Sequence, residues 1–248
     1  MSNRSGWAYQ TGTARFKVGF AMGTGRPDIS HERYAELLLK SHVPIALRHH
    51  PTLRRYVVNV VTMGLLPGPR ELDSIGELSF ASLADYRERL YDSDAGREVV
   101  SRDVATFLAG ADAYECTEHV RKGSDRKGPY ESASPEPSPG AKLLLCLKRK
   151  PGMSHEEFVT HWLGHHAALV LEHGARVSKY VQNVVDARLS PEAVEYDGFA
   201  ELHFASEDDF MAQMAGHSQG ANPVQEDTAN FVGEMAVWRL AEHVARIP

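Results

Sequence analysis

The chain contains two copies of one sequence pattern, and this duplication limits the folds open to it more than any other feature. The segment ISHERYAELLLKSHV, beginning at Ile29, aligns with MSHEEFVTHWLGHHA, beginning at Met153, at an offset of 124 residues (153 − 29). The same offset places RRYVVNVV at 54–61 on SKYVQNVV at 178–185. The alignment needs no gap as far as the EHV that both copies contain, at 118–120 and 242–244. About a third of the aligned residues are identical. A repeat of this kind predicts two copies of one supersecondary unit.

The segment between the copies has the composition of a linker. Residues 121–140, RKGSDRKGPYESASPEPSPG, are rich in Ser, Pro, Gly and charge and poor in apolar residues. Such sequences connect folded units and do not form a core of their own. We therefore expect a first repeat over 1–120 and a second over 141–248.

The second copy shows the order of elements within one repeat. AKLLLCLKRK is a short apolar run typical of a buried strand, and Ser154 with Glu157 forms a capping box that begins a helix. SKYVQNVV and FAELHFAS are typical of strands, SEDDFMAQMAG of a second helix, and MAVWRLAEHV of a closing strand. The order β-α-β-β-α-β predicts a ferredoxin-like α+β unit with both helices on one face of its sheet. The other face needs a cover, and two such sheets packed face to face make an α/β barrel within one chain.

Composition narrows the classes of function. The net charge is −6 over 248 residues, which does not favour a nucleic-acid partner. No run of 18 apolar residues predicts a membrane span. Cys116 and Cys146 each lie in a predicted strand, so a disulfide framework is not expected, and the amino-terminal segment lacks a signal-peptide core. These observations favour a cytoplasmic globular protein.

The second copy resembles the EthD-type branch of the dimeric α/β-barrel superfamily. The resemblance is carried by KRKPGMSHEEFVTHWLGHHAALV and SKYVQN, that is, Lys-Arg, Pro-Gly, a capped helix with Trp and a His-His-Ala run, and Tyr-Val-Gln-Asn on the next strand. The first copy keeps His42, Tyr56 and Asn59 but has Leu38 where the second has Trp162. It also has Ser41 at the position of His165.

This resemblance implies the barrel fold and several classes of activity. Cofactor-free members of the superfamily include monooxygenases, polyketide cyclases, isomerases and dehydratases, which bind a small hydrophobic substrate between the sheet and the helices. More distant tandem members bind haem, which makes a haem- or oxygen-dependent oxidoreductase the first alternative. A ligand-binding accessory protein is the second. Members associate readily, so a homodimer of the tandem chain is compatible with the resemblance.

His166 and its counterpart His42 are the first catalytic candidates. His166 lies four residues after Trp162 and eight after Phe158, so all three share the apolar stripe of the first helix. A histidine there has two interpretations. It is a structural residue, hydrogen-bonded to the backbone or to a tyrosine, or it is an acid–base group in a cavity. We predict that it faces the cavity. His42 lies at the equivalent position of the first repeat, so we predict that it is the base there.

Residues on the strands provide further candidates. Tyr180 and Asn183, like Tyr56 and Asn59, are an odd number of positions apart, so one of each pair faces the helices and the other faces the partner sheet. His203 shares a strand face with Glu201, which suggests a pair, and repeat one has Ser79 at this position. Packing alone is the alternative for each of these residues.

Three residues complete the predicted site. Trp162, His165 and Asp227 are expected to line the substrate cavity, and Asp227, like Asp103 in the first copy, could pair with the first-helix histidine. His161 and His165 are four apart, as in helical metal sites, but the sequence fixes no third ligand, so no metal is predicted.

Together these residues predict a cofactor-independent lyase or isomerase acting on a small aromatic or polyketide-like substrate. His166, His42 or His203 would move the proton, and Tyr180, Tyr56, Asn183 and Asn59 would orient the substrate oxygen. The second repeat, which has more of these residues, is expected to hold the better site.

Overall fold

The computed structural model describes residues 15–123, 128–217 and 222–248. Residues 1–14, and residues 124–127 of the predicted linker, lie outside the described part. The strands are β1 (Arg15–Gly25), β2 (Arg55–Leu66), β3 (Ser74–Ser79), β4 (Leu108–Asp112), β5 (Tyr114–Lys122), β6 (Tyr130–Glu131), β7 (Ala141–Arg149), β8 (Val177–Arg188), β9 (Gly198–Phe204) and β10 (Val232–Ile247). The helices are α1 (His31–Leu37), α2 (Val43–His49), α3 (Leu83–Arg89), α4 (Asp94–Val104), α5 (His155–His161), α6 (Ala167–His173), α7 (Glu207–His217) and α8 (Pro223–Phe231).

Each repeat has the predicted β-α-β-β-α-β order. The first consists of β1, α1–α2, β2, β3, α3–α4 and β5, with β4 as an additional short strand. The second consists of β7, α5–α6, β8, β9, α7–α8 and β10. The predicted α+β class and the ferredoxin-like repeats are therefore confirmed.

The two sheets join into one closed barrel. Within the first repeat the order is β2-β3-β1-β5, and within the second it is β8-β9-β7-β10. Antiparallel pairing of β5 with β8 and of β10 with β2 connects the repeats at both edges. The sheets are thus hydrogen-bonded to each other along their edges as well as facing each other, and the eight long strands leave no unpaired edge between repeats.

The first helix of each repeat contains a π-helical turn at the same place. Leu38–His42 separates α1 from α2, and Trp162–His166 separates α5 from α6. The predicted capping box is present, since Ser154 accepts from the backbone of Glu157 and the Glu157 side chain accepts from Ser154 N–H. A π-helical turn closes on the fifth residue, so side chains four and five positions apart share one face.

Three apolar clusters fill the molecule. One consists only of residues from the strands and the β8–β9 connection, from both repeats, and therefore fills the barrel interior; it includes Tyr114, Phe199 and Trp238. The other two lie between a sheet and its helices, one for each repeat. This arrangement matches the two-layer packing that a one-sided sheet requires.

The linker runs along the last strand. β6 pairs with β10, and Pro137 forms a bridge with His243. These contacts place residues 136–140 beside one end of the barrel. In the described part of the chain, every helix is too short or too polar to cross a bilayer.

Candidate functional site at the charged end of the barrel

The barrel interior changes from aromatic at one end to charged at the other. Along β9 every second residue points into the barrel, namely Phe199, Glu201 and His203. Along β10 Trp238 points inward, and Glu242 follows it on the same side. The same alternation on the other strands brings further polar side chains to this end. They are Asn59, Glu77, Glu118, Lys142 and Asn183, all buried.

Lys142 lies at the centre of the charged end. Its ammonium Nζ is 2.9 Å from Glu201 Oε2 and 3.0 Å from Glu242 Oε2, and it also donates to Glu77. Burial alone would lower the pKa of Lys142, but the three carboxylates outweigh it and hold that pKa well above its ordinary value. Lys142 is therefore a cation, and it holds glutamates of both repeats together.

Arg55 and the two asparagines complete the contacts around the equivalent glutamates. The Arg55 guanidinium is 3.3 Å from Glu77 Oε2, and the amide of Asn59 donates to Glu77 Oε1 at 2.9 Å. In the second repeat Asn183 donates to Glu201 Oε1 at 2.8 Å. Both asparagines thus orient a buried carboxylate, and neither faces the helices.

Oxygens of Glu77, Glu118 and Glu201 lie within 4.8 Å of one another, a spacing that a metal ion could use. Lys142 and Arg55 already contact these carboxylates. Lys142 and Arg55 therefore supply the positive charge that a metal ion would otherwise bring to these carboxylates.

His203 lies between two carboxylates on the wall of a cavity. Its Nε2 is 3.6 Å from Glu201 Oε2, and its Nδ1 is 3.8 Å from Glu242 Oε2. The predicted neighbourhood of His203 and Glu201 is therefore present. Glu242 also accepts from Ser138 of the linker, and Lys142 and His203 lower its pKa against the opposing effect of burial.

The cavity at this end has a volume of about 1080 Å³. Lys142, His203 and Glu242 form part of its charged wall, and Leu240 and Ile247 are among its apolar residues. The linker segment 136–140 forms one side. A space of this size, with an apolar wall and a few convergent polar groups, is typical of small-molecule sites.

The first-helix histidines do not occupy the predicted position. His166 is buried with Nδ1 2.9 Å from Asp227 Oδ2, and its ring packs 4.9 Å from that of Phe231. His42 makes the same contact with Asp103 at 2.9 Å. The helix face that carries them turns towards the second helix of the repeat, where each histidine meets its aspartate. Among the described residues, the lining of the cavity of about 1080 Å³ includes neither His166 nor His42.

Aromatic packing explains this difference. Trp162, Phe158 and Phe231 are completely buried in the cluster between the sheet and helices of the second repeat. Tyr180 lies in the same cluster, and Tyr56 lies in the equivalent cluster of the first repeat. Burial raises the pKa of both tyrosines. Trp162, Tyr180 and Tyr56 therefore fill the space in which sequence analysis placed a substrate.

The same space does not fit a haem. A haem needs an open apolar slot and an axial ligand with a free coordinating atom. The cavity bordered by α6 and α7 is about 370 Å³, and the histidine in its lining is the exposed His173. The buried His166 lies outside this lining and gives its Nδ1 to Asp227. The other site, the cavity beside His203, is lined by Lys142, Arg239 and Glu242, so it is not the apolar slot that a haem needs. In the part of the chain that the structure describes, neither position provides the slot and the ligand together.

Glu242, Lys142 and Arg55 are site residues that sequence analysis missed. Glu242 carried a signal, because EHV recurs in both repeats with Glu118 at the equivalent position. Lys142 carried none, since its equivalent in the first repeat is Val18 and its contacts come from three distant strands.

Comparison with known proteins supports the fold. Residues 150–234 match the model of the EthD domain family, which confirms the predicted resemblance for the second repeat. No curated protein is significantly similar to the chain in sequence. An anthrone oxidase-like protein of known structure is similar, with TM-score 0.61, 11% identity and coverage of 93% of each chain.

Two further solved structures match the chain at lower similarity. A monooxygenase candidate from Fusobacterium nucleatum subsp. nucleatum has TM-score 0.53, 7% identity and coverage of 94% of each chain. A chlorite dismutase mutant from Candidatus Nitrospira defluvii has TM-score 0.47 and 10% identity, covering 91% of this chain and 90% of that one. At these identities the likeness to the two structures with TM-scores of 0.61 and 0.53 shows the barrel architecture alone.

Proposed function

We propose that the protein is an enzyme that removes a proton from a small organic substrate at the charged end of the barrel. The match of residues 150–234 to the EthD domain model and the closed barrel support this proposal. The observation that carries the proposal is the position of His203, on the wall of a cavity of about 1080 Å³ and between Glu201 and Glu242. A histidine flanked by carboxylates is a suitable base near neutral pH, because the carboxylates stabilise the imidazolium that forms. His203 thus replaces His166 and His42 as the proposed base.

The cavity wall favours a substrate with an apolar body and an acidic hydroxyl or carbonyl. Leu240, Val244 and Ile247 provide apolar surface, and Lys142 provides a fixed positive charge beside His203. The three N–H groups of Lys142 already face Glu77, Glu201 and Glu242, so its charge would act on a phenolate or enolate through space and without a direct hydrogen bond. Hydroxyaromatic and polyketide-like molecules have both features.

Oxidation by dioxygen is the first candidate for the subsequent step. The deprotonated substrate would pass its electrons to O2 without a cofactor, giving an oxygenated product and water. The similarity of the barrel to an anthrone oxidase-like protein and to a monooxygenase candidate supports this class. The second candidate is a lyase or isomerase, in which the proton returns to another atom of the substrate. The position of His203 beside Glu201 and Glu242 supports this candidate, because a histidine that takes up a proton can return it to another atom of the same substrate.

A panel of hydroxyaromatic and anthrone-type compounds would test the proposal. We expect turnover that falls about 100-fold or more in His203→Ser, which introduces the residue of the first repeat. Oxygen uptake, with ¹⁸O from ¹⁸O2 in the product or in water, would identify oxidation. Product formation without oxygen uptake would identify the lyase or isomerase.

His173→Ala, an exposed change on α6, is the matched control and should leave turnover unchanged. His166→Ala should lower stability while leaving the turnover of the folded fraction near that of the parent. Full activity in His203→Ser, or loss of activity only in His166→Ala, would overturn the assignment of the base.

A further inference from the structure

Three histidines of the second repeat converge on one carboxylate outside the barrel. His161 Nε2 lies 2.9 Å from Asp227 Oδ1, and His165 Nε2 lies 3.5 Å from the same oxygen. His166 Nδ1 lies 2.9 Å from the other oxygen, Oδ2. The π-helical turn explains the convergence, because it brings residues four and five positions after His161 onto the face that meets α8.

The cluster is open on one side and fixed on the other. The side chains of His161 and His165 are 29% and 63% exposed, whereas that of Asp227 is 5% exposed. Phe231 packs beneath both His161 and His166, with ring centroids 4.9 Å apart in each case. Two imidazoles therefore reach over a buried carboxylate from solvent, and an ion could enter without opening the core.

We propose that His161, His165 and Asp227 bind a divalent transition-metal ion of the zinc class. Imidazole nitrogens and a carboxylate oxygen are the ligands that such ions prefer, and histidines four residues apart on a helix are a common pair of them. The ion would replace the contacts of the two Nε2 atoms with Oδ1. The His161 and His165 rings, whose centroids are 5.3 Å apart, would have to turn towards each other, and the 63% exposure of the His165 side chain leaves room for this rotation. Water would complete the coordination.

His166 would position the third ligand. It donates to Asp227 Oδ2 while Oδ1 faces the two outer histidines. An outer hydrogen bond of this kind fixes the orientation of a ligating carboxylate. This arrangement gives the buried histidine a role that does not require contact with a substrate.

The first repeat serves as an internal comparison. Asp103 holds His42 in the same way, but Leu37 and Ser41 stand at the positions of His161 and His165, and Ser41 Oγ donates to Asp103 at 2.5 Å. A zinc-class ion would lack two ligands there. We therefore expect one site per chain. It is separate from the cavity of His203, whose lining includes neither His161 nor His165, so it does not depend on the proposed activity.

Titration of the chelator-treated full chain with Zn²⁺ by calorimetry tests the proposal, with Co²⁺ absorption as a second readout of coordination. We expect one equivalent to bind and the thermal midpoint to rise, because the ion links α5 and α8. His165→Ala and His161→Ala should each weaken binding at least about tenfold, and His166→Ala should weaken it by about 10- to 100-fold. His165 is exposed, so its variant should fold, and circular dichroism would verify this.

His173→Ala and His155→Ala, which remove half-exposed or exposed histidines of the same helix, are the controls and should bind as the parent does. Binding that persists in the double variant His161→Ala/His165→Ala would overturn the site, as would the absence of a stoichiometric step in the parent. Neither result would bear on turnover by His203.

Discussion

In the first repeat Asp103 holds His42 and Ser41, whereas in the second the equivalent Asp227 holds His166 together with His161 and faces His165. The shared half of this arrangement, a histidine paired with an aspartate between two helices, is therefore part of the scaffold of both repeats. The half that differs faces solvent and carries additional metal-binding chemistry.

The barrel interior shows the same division. Asn59 and Asn183 orient equivalent glutamates in both repeats. Lys142 and His203 have no equivalents, since Val18 and Ser79 stand in their places. Recurrence between repeats thus indicates a residue that builds the fold, and the candidate chemistry lies at positions where the repeats differ.

The largest effect should come from removing the central cation of the interior. Lys142→Met removes the cation that the buried Glu77 and Glu201 and the partly buried Glu242 share, and we expect a loss of about 3–5 kcal/mol in the free energy of unfolding. Urea denaturation followed by circular dichroism measures it.

Lys148→Met on the same strand is the matched control. Lys148 pairs with Glu234 at 3.2 Å at the surface, and its loss should cost below about 1 kcal/mol. Equal effects of the two variants would mean that the interior network contributes no more than a surface pair.

A second difference between the repeats lies in their helix–sheet packing. A side chain on Gly198 would place its Cβ within 2.7 Å of ring carbons of Trp162, whereas the first repeat has Ser74 with the smaller Leu38. Gly198→Ser should therefore overpack the second repeat and cost about 1–3 kcal/mol. Trp162→Leu alone should cost about 2–4 kcal/mol, because it leaves a cavity.

Combining the two changes sharpens this comparison. Gly198→Ser/Trp162→Leu reproduces the residues of the first repeat, and its cost should be at least about 1 kcal/mol below the sum of the single variants. The double-mutant cycle is measured by urea denaturation. Strict additivity would show that Trp162 does not determine the need for glycine on β9.

The fold could be predicted from the sequence because its signals are local or recur. The capping box at Ser154, the strand alternation and the constant offset each concern neighbouring or equivalent residues. The structure has the capping box, the strands and two repeats of the same order. The place of His166 could not be predicted in the same way. Helical spacing shows that it shares a stripe with Trp162, but whether that stripe meets open space depends on Phe231, which comes from the other end of the repeat.

The site at the end of the barrel shows the same limit. His203 and Glu201 were predictable as neighbours, since residues two apart on a strand share a face. Lys142 and Glu242 join them only because β7 lies between β9 and β10 in the closed sheet. That contact depends on pairing between strands that are far apart in the chain, so the residue pattern within one strand does not predict it.

The smallest predicted effect concerns His50, a buried histidine present in the first repeat only, since Gly174 is its equivalent. Burial lowers the pKa of His50 below its ordinary value near 6.5, assisted by His42 and His49 and opposed by the hydrogen bond to Leu90 O and by Asp92. Because the folded pKa lies below the unfolded one, its contribution to stability is present above pH 6.5 and is lost as the pH falls below that value. His50→Gln should therefore flatten the decline in urea midpoint between pH 7.5 and 5.5, whereas exposed His173→Gln in the second repeat should leave that decline unchanged. An equally steep decline in His50→Gln would assign the acid sensitivity to other groups, and the difference between the repeats would then not extend to their response to pH.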